Sequence, residues 1–370
     1  MKKIIVSLLA FLIAIPLVIA QPKSPRKVQL VILFDTSNSM DGLIEQAKAR
    51  IWAIVNETSN LRHNGLVPTI EIAVYDYGNS GITAANYVRQ QTPFTTNLDV
   101  ISEKLFSLRT NGGEEYCGAV IQKSIEDLTW SPDPLDLKLV YIAGNEPFNQ
   151  GPIDYKKVCE ISSSKGIFVN TIYCGDYAQG IREFWKDGAT CSKGEYFNIN
   201  SNEKIDYIET PYDAKIQEQN NKLNGTYIGF GSQATYNFSN QTAQDKNAVS
   251  VNSAVSSERI IVKSKKAAYN NASWDAVDAI QADTTFLQKV KADDLPTELK
   301  GKTMEEQGKY IQEKAAERSK IQEEIGRLAK EREAYIQAEK AKGSQVKKAD
   351  DFGTAVSKSL KEKAKTIGYE

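Results

Sequence analysis

Asp35-Thr36-Ser37-Asn38-Ser39 gathers one carboxylate and two serine hydroxyls into a single short segment. A run that is apolar except for Gln29, residues 28–34, leads into it. Leu43, Ala47, Ile51 and Ile54 follow it at a helical period. The acid and hydroxyls should therefore sit in a tight turn between a buried strand and an amphipathic helix. Short oxygen side chains gathered at such a turn suit a hard cation such as Mg2+. They also suit a plainer task, because Asp and Ser often cap the first turn of a helix.

Other chemistries have little to work with. The only histidine, His63, stands in a polar loop beside Asn64 and Gly65, which leaves no Ser–His or Cys–His pair and no zinc hydrolase set. Gly112-Gly113 lacks the lysine and the spacing of a phosphate-binding loop. The chain reads as a binding protein and not as an enzyme. A net charge of −1, without a basic stretch, argues against a nucleic-acid partner. Of the four cysteines, Cys159, Cys174 and Cys191 lie close together and Cys117 stands apart. No pair has zinc-finger spacing. One disulfide within the trio and buried free thiols both fit.

The elements that must position the turn follow from periodicity. Residues 70–74, 137–143, 167–173 and 196–199 read as strands, with 86–94 as a further strand at an edge. Helical spacing links Leu98, Ile101, Leu105 and Leu108. It recurs at Cys117, Ile121, Ser124 and Leu128, at Tyr155, Val158 and Ile161, and at Ile181, Trp185 and Ala189. Continuous apolar strands alternating with helices predict an α/β fold, a doubly wound and mostly parallel sheet covered on both faces. Ligands of such sheets bind at the carboxyl ends of the strands. The Asp35 turn is at one such end, and the loops opened at Asn111 and after Ala143 should converge on it.

A strand, a D-x-S-x-S turn and a helix in this order resemble the metal-ion-dependent adhesion site of the von Willebrand factor type A domain, over residues 26–210. The resemblance implies a divalent cation, Mg2+ or alternatively Mn2+ or Ca2+. Ser37 and Ser39 would bind it directly, and Asp35 directly or through water. It also implies a threonine from a second loop and an aspartate from a third, and the chain departs at both. Glu114 stands where threonine follows the two glycines, with Glu115 next and Thr110 ahead of them. The third loop, Ala143-Gly144-Asn145-Glu146, has no aspartate; Asn145 offers a carbonyl oxygen and Glu146 a carboxylate. The expected ligand set is Asp35, Ser37, Ser39, Glu114 and Asn145. A directly ligating Glu114 would neutralise the cation and weaken its hold on an acidic partner, whereas a missing fourth ligand would leave the site weak or empty.

Outside this domain, residues 1–20 read as a secretory signal peptide: Lys2 and Lys3, an apolar run, then Val18-Ile19-Ala20. An uncleaved anchor is the competing reading. The expectation is an exported bacterial protein, periplasmic or extracellular, that does not span the membrane once the signal is removed. Residues 211–300 read as a mixed, helical subdomain. Pro211 opens a helix, residues 224–240 form a loop or hairpin, and Ser273 caps a helix carrying Trp274, Val277 and Ile280. Residues 301–370 read as a charged helical tail with favourable pairs Glu305–Lys309 and Glu323–Arg327. Its thin seam, Ile321, Ile325, Leu328, Arg332 and Tyr335, allows a coiled coil. Arg332 on the seam argues against a strong dimer and for packing within the chain. The functional expectation is a protein-binding, adhesion or scaffold module that presents a cation to a protein partner. A metal-independent structural component of an envelope assembly is the alternative, and a metal-assisted hydrolase a third reading.

Overall fold

The computed structural model describes residues 25–200, 207–342 and 352–370; the signal-peptide reading of residues 1–20 lies outside them. Six strands form one sheet: β1 (Lys27–Asp35), β2 (Thr69–Tyr77), β3 (Val88–Thr95), β4 (Leu137–Gly144), β5 (Phe168–Cys174) and β6 (Tyr196–Ile199). Their order is β3-β2-β1-β4-β5-β6, and every pairing is parallel except β2 with β3, which is antiparallel. β1 is central and buried on both faces, which explains its mainly apolar sequence. Its alternate residues serve two cores. Leu30, Ile32 and Phe34 pack under α1 (Asp41–Thr58) and α2 (Leu98–Ser107). Val31 and Leu33 pack under α3 (Cys117–Asp127) and α4 (Tyr155–Ser164), with Trp185 from the short helices α5 (Tyr177–Arg182) and α6 (Trp185–Thr190). A disulfide joins Cys159 on α4 to Cys191 just past α6, while Cys117 and Cys174 are free thiols.

The remaining helices are α7 (Asp213–Asn224), α8 (Ala234–Val251), α9 (Ser253–Lys263), α10 (Ala276–Ala282), α11 (Phe286–Lys289), α12 (Met304–Ala341) and α13 (Phe352–Thr366). Two local expectations are corrected. The stretch read as a loop or hairpin is helical from Ala234. The helix read as capped by Ser273 is capped by Asp275, whose carboxylate accepts from the Asp278 N–H. α12 begins with a capping box, Thr303 with Glu306. Its seam residues Ile321, Ile325 and Leu328 are buried against Ile216 and Leu223 of α7 and Ile260 and Ile261 of α9, within the same chain. Arg332 on that seam is buried because it meets Asp213 and Glu258, each at 2.8 Å.

The helical region is not a detached tail. α13 lies beside α1 and runs in the same direction: Gly353 packs on Arg50, Lys361 pairs with Glu57 at 3.2 Å, and His63 Nδ1 donates to the Gly368 carbonyl. Val356, Leu360 and Ala364 enter the same core as β1 and α1. The Ser359 hydroxyl donates to Asn170 of β5 at 2.9 Å. α9 and α8 pack against α1 and α2, and a buried charge cluster ties them down. Arg259 of α9, fully buried, bridges Asp99 of α2 (2.8 Å) and Asp245 of α8 (2.7 Å), and Lys263 adds a second cation on Asp245 at 2.8 Å. A second buried arginine, Arg318 of α12, meets Asp275 (2.6 Å) and Asp278 (2.9 Å).

Candidate metal centre

β1 delivers Asp35 to the carboxyl edge of the sheet, paired across from Tyr77. The chain then turns. The Ser37 N–H donates to Asp35 Oδ1 at 2.8 Å, and Met40 N–H donates to the Ser37 carbonyl. Neither this turn nor α1 takes a side-chain cap, so the capping reading of Asp35, Ser37 and Ser39 has no hydrogen bond behind it. The second loop is lashed to the first and to the end of β2. Asn111 N–H donates to the Thr36 carbonyl (2.9 Å), and Ser80 N–H to the Gly112 carbonyl (2.7 Å). Asn79 Nδ2 reaches the Thr36 and Arg109 carbonyls. The third loop is anchored by Trp185 Nε1, which donates to the Glu146 carbonyl at 2.8 Å.

Three of the five expected ligands are neighbours. The Ser37 and Ser39 hydroxyls are 3.2 Å apart, and Asn145 Nδ2 lies 3.1 Å from Ser39 Oγ. Asp35 joins them from below, fully buried. Its Oδ1 is occupied by the Ser37 N–H, and its Oδ2 has no hydrogen-bond partner. Two glycines make room for it. A Cβ at Gly78, where φ is +73°, would lie 2.9 Å from Asp35 Oδ1, and one at Gly144 would lie 3.1 Å from Oδ2. Of the adjacent pair in the second loop, Glu114 is exposed and Glu115 is buried. Thr110 donates its hydroxyl to Asp41. Glu115 is the site residue that sequence reasoning passed over. Nothing in the spacing singles out one of two consecutive acids in a glycine-turned loop, because no strand or helix period runs through it.

The electrostatics are one-sided. Burial, opposed by hydrogen bonding from Ser37 and reinforced by Glu146, pushes Asp35 up to about 7. Burial and then the charges of Asp35 and Glu146 push Glu115 up to about 8, against the pull of the Ser37 hydroxyl, with Glu114 adding to the rise. One hydroxyl, that of Ser37, thus acts on both carboxyls. No cluster of three or more His, Cys, Asp or Glu side chains with metal-binding spacing occurs among the described residues. The donor set is instead two carboxylates, two hydroxyls and an amide, all oxygen-bearing. An unpartnered buried carboxylate oxygen and hard donors on three loops fit a hard divalent cation, with Asp35, Ser37, Ser39 and Asn145 as the groups available to hold it.

The strand order, the lone antiparallel edge and the Asp-Thr-Ser-Asn-Ser turn at the end of β1 define a von Willebrand factor type A fold with a helical region after it. No family model and no curated protein matches the chain. Among solved structures it is similar to the VWA domain of SpRpn10, with 14% identity, a TM-score of 0.36, and 46% of this chain and 87% of that one covered. It is similar to proximal thread matrix protein 1 from the mussel byssus, in a form with a zinc-occupied MIDAS motif (12% identity, TM-score 0.36, 47% and 41% covered). It is also similar to the pilus adhesin SpaC from Lactobacillus rhamnosus GG in an open conformation (12%, 0.36, 48% and 28%). The chain thus spans less than half the length of the mussel protein and of the adhesin. The strand order and the turn, not these distant likenesses, define the fold.

Proposed function

We propose that this protein is an exported, non-catalytic protein-binding module of the adhesion or scaffold kind, which presents a divalent-cation site at the carboxyl edge of its sheet. The observation that carries the reading is Asp35 Oδ2, buried and unpartnered below the serine hydroxyls of a turn that opens to solvent at Ser39. Mg2+ is the expected cation, with Mn2+ or Ca2+ as substitutes. Export is supported by the leader pattern of residues 1–20 and by the Cys159–Cys191 disulfide, a bond that persists in oxidising compartments. No helix among the described residues is long and apolar enough to cross a membrane. A binding role also accords with His63. It lies on the connection from α1 to β2, at the opposite edge of the sheet, and bonds the Gly368 carbonyl and Asn64. Calorimetric titration of Mg2+, Mn2+ and Ca2+ into residues 21–370 tests the reading. Saturable binding that Asp35→Ala abolishes supports it, as does cation-dependent capture of a protein partner lost in the same variant. No binding by any of the three cations sinks it and favours a metal-independent structural role.

A further inference from the structure

We infer that Glu115 is the acidic ligand that completes this cation site, and that the bound cation locks the loops together without capturing a partner's carboxylate. The inference rests on the cation reading of the Asp35 turn and deepens it.

The first support is how this chain treats its other buried acids. Asp76 meets Arg89, Asp99 and Asp245 share Arg259, Asp275 and Asp278 share Arg318, and Asp213 meets Arg332. Asp136 accepts from the Lys27 N–H and the Ser131 hydroxyl. Asp35 and Glu115 are the exception among the described residues: the charge bearing on Asp35 is that of Glu146, and those bearing on Glu115 are Asp35, Glu146 and Glu114, all acidic. A pair of carboxylates taken out of water without a counter-charge is strongly unfavourable, and a divalent cation is the counter-charge that fits.

The second support is steric. A Cβ at Gly78 would fall 2.6 Å from Glu115 Cγ as well as 2.9 Å from Asp35 Oδ1, so both side chains cross the same bare backbone. A Cβ at Gly113 would fall 2.6 Å from the Gly78 carbonyl oxygen and 2.7 Å from the Ser80 nitrogen. The Gly112-Gly113 turn therefore lies flat on residues 78–80 and sets the direction in which Glu115 enters. Glu114, one residue earlier, is left on the outside. Two carboxylates offset the formal charge of a divalent cation, so it attracts a further carboxylate less strongly than a cation held by hydroxyls and water would.

Glu115→Gln and Glu114→Gln in the mature chain separate the possibilities, with Mg2+ and Mn2+ affinities read by calorimetry and the Mn2+ site by electron paramagnetic resonance. Loss of a charged ligand should weaken Mn2+ binding at least ~10-fold in Glu115→Gln, while Glu114→Gln stays within about 2-fold of the wild type. A circular-dichroism melt without cation checks that each variant folds. Acetate added to the Mn2+-loaded wild type should leave its resonance spectrum unchanged. Equal affinities in wild type and Glu115→Gln, a loss confined to Glu114→Gln, or acetate entering the wild-type coordination sphere would each overturn the inference while leaving the cation site standing. A wild type that binds no cation overturns the underlying reading as well, and the two failures are thereby distinct.

Discussion

Replacing Arg259 by methionine tests how firmly the helical region is joined to the sheet. Arg259 is fully buried and donates to three groups on two helices: Nη1 to Asp99 on α2 (2.8 Å), and Nε to Asp245 (2.7 Å) and Nη2 to the Gln241 carbonyl (2.8 Å) on α8. Its guanidinium lies 4.6 Å from the centre of the Trp52 ring on α1. Methionine fills much of the volume but supplies no charge. Asp245 keeps Lys263 and the Asn220 and Asn224 amides, so it tolerates the loss. Asp99 keeps the Tyr269 hydroxyl and no cation, so it becomes the stranded charge. Breaking a buried pair in this way costs about 3–5 kcal/mol. For a chain of this size that corresponds to a melting point roughly 4–7 °C lower. Melting followed by far-ultraviolet circular dichroism and by tryptophan fluorescence should show one transition, shifted as a whole. Arg259→Met with Asp99→Asn should recover much of the loss, because the stranded charge goes with the second change. A shift worth less than ~1 kcal/mol would refute the reasoning about burial. A split melt in which the sheet keeps its wild-type midpoint would refute the reading that the helical region and the sheet unfold as one unit.

Three further outcomes are expected. In cation-free buffer, Asp35 at about 7 and Glu115 at about 8 both lie above their unfolded values. Their contribution is complete below about pH 4 and is lost as pH rises through 7 and 8, so stability should fall between about pH 4 and 8 and level off above. Asp35→Asn should then raise cation-free stability at pH 9 by up to about 4 kcal/mol, and a flat wild-type profile in denaturant titrations would contradict this. Reduction of Cys159–Cys191, which spans a sequence separation of 32, should cost about 2–4 kcal/mol, read as a midpoint shift with and without reductant. Leu360→Ala empties a fully buried position between α13 and the sheet and should cost about 2–5 kcal/mol in urea unfolding; a near-neutral result would place α13 outside the core.

The sheet was legible because its signals are local. β1, β4 and β5 are predominantly apolar, as strands covered on both faces must be, and α1 to α4 carry a 3.6-residue period. The turn at Asp35 was legible for the same reason, as a polar break between two such signals. What was hidden depends on long-range partners. α8 buries Asn240, Gln241, Gln244 and Asp245, so it packs through hydrogen bonds and leaves no apolar stripe to read. Arg332 looked like a flaw in an apolar seam, and only Asp213 and Glu258 explain it. Glu115 differs from Glu114 only in the direction a glycine turn gives it. The merging of α13 into the first core joins residues at opposite ends of the chain, which no sequence window spans.

That last feature bears on how the chain comes into being. α13 covers β4 and β5 and lies against α1, yet it is made after all six strands and after α1 to α12. Until it arrives, apolar groups such as Tyr141 and Ile172 on that face lack their final cover. During synthesis that face of the sheet therefore stays open until α13 is added.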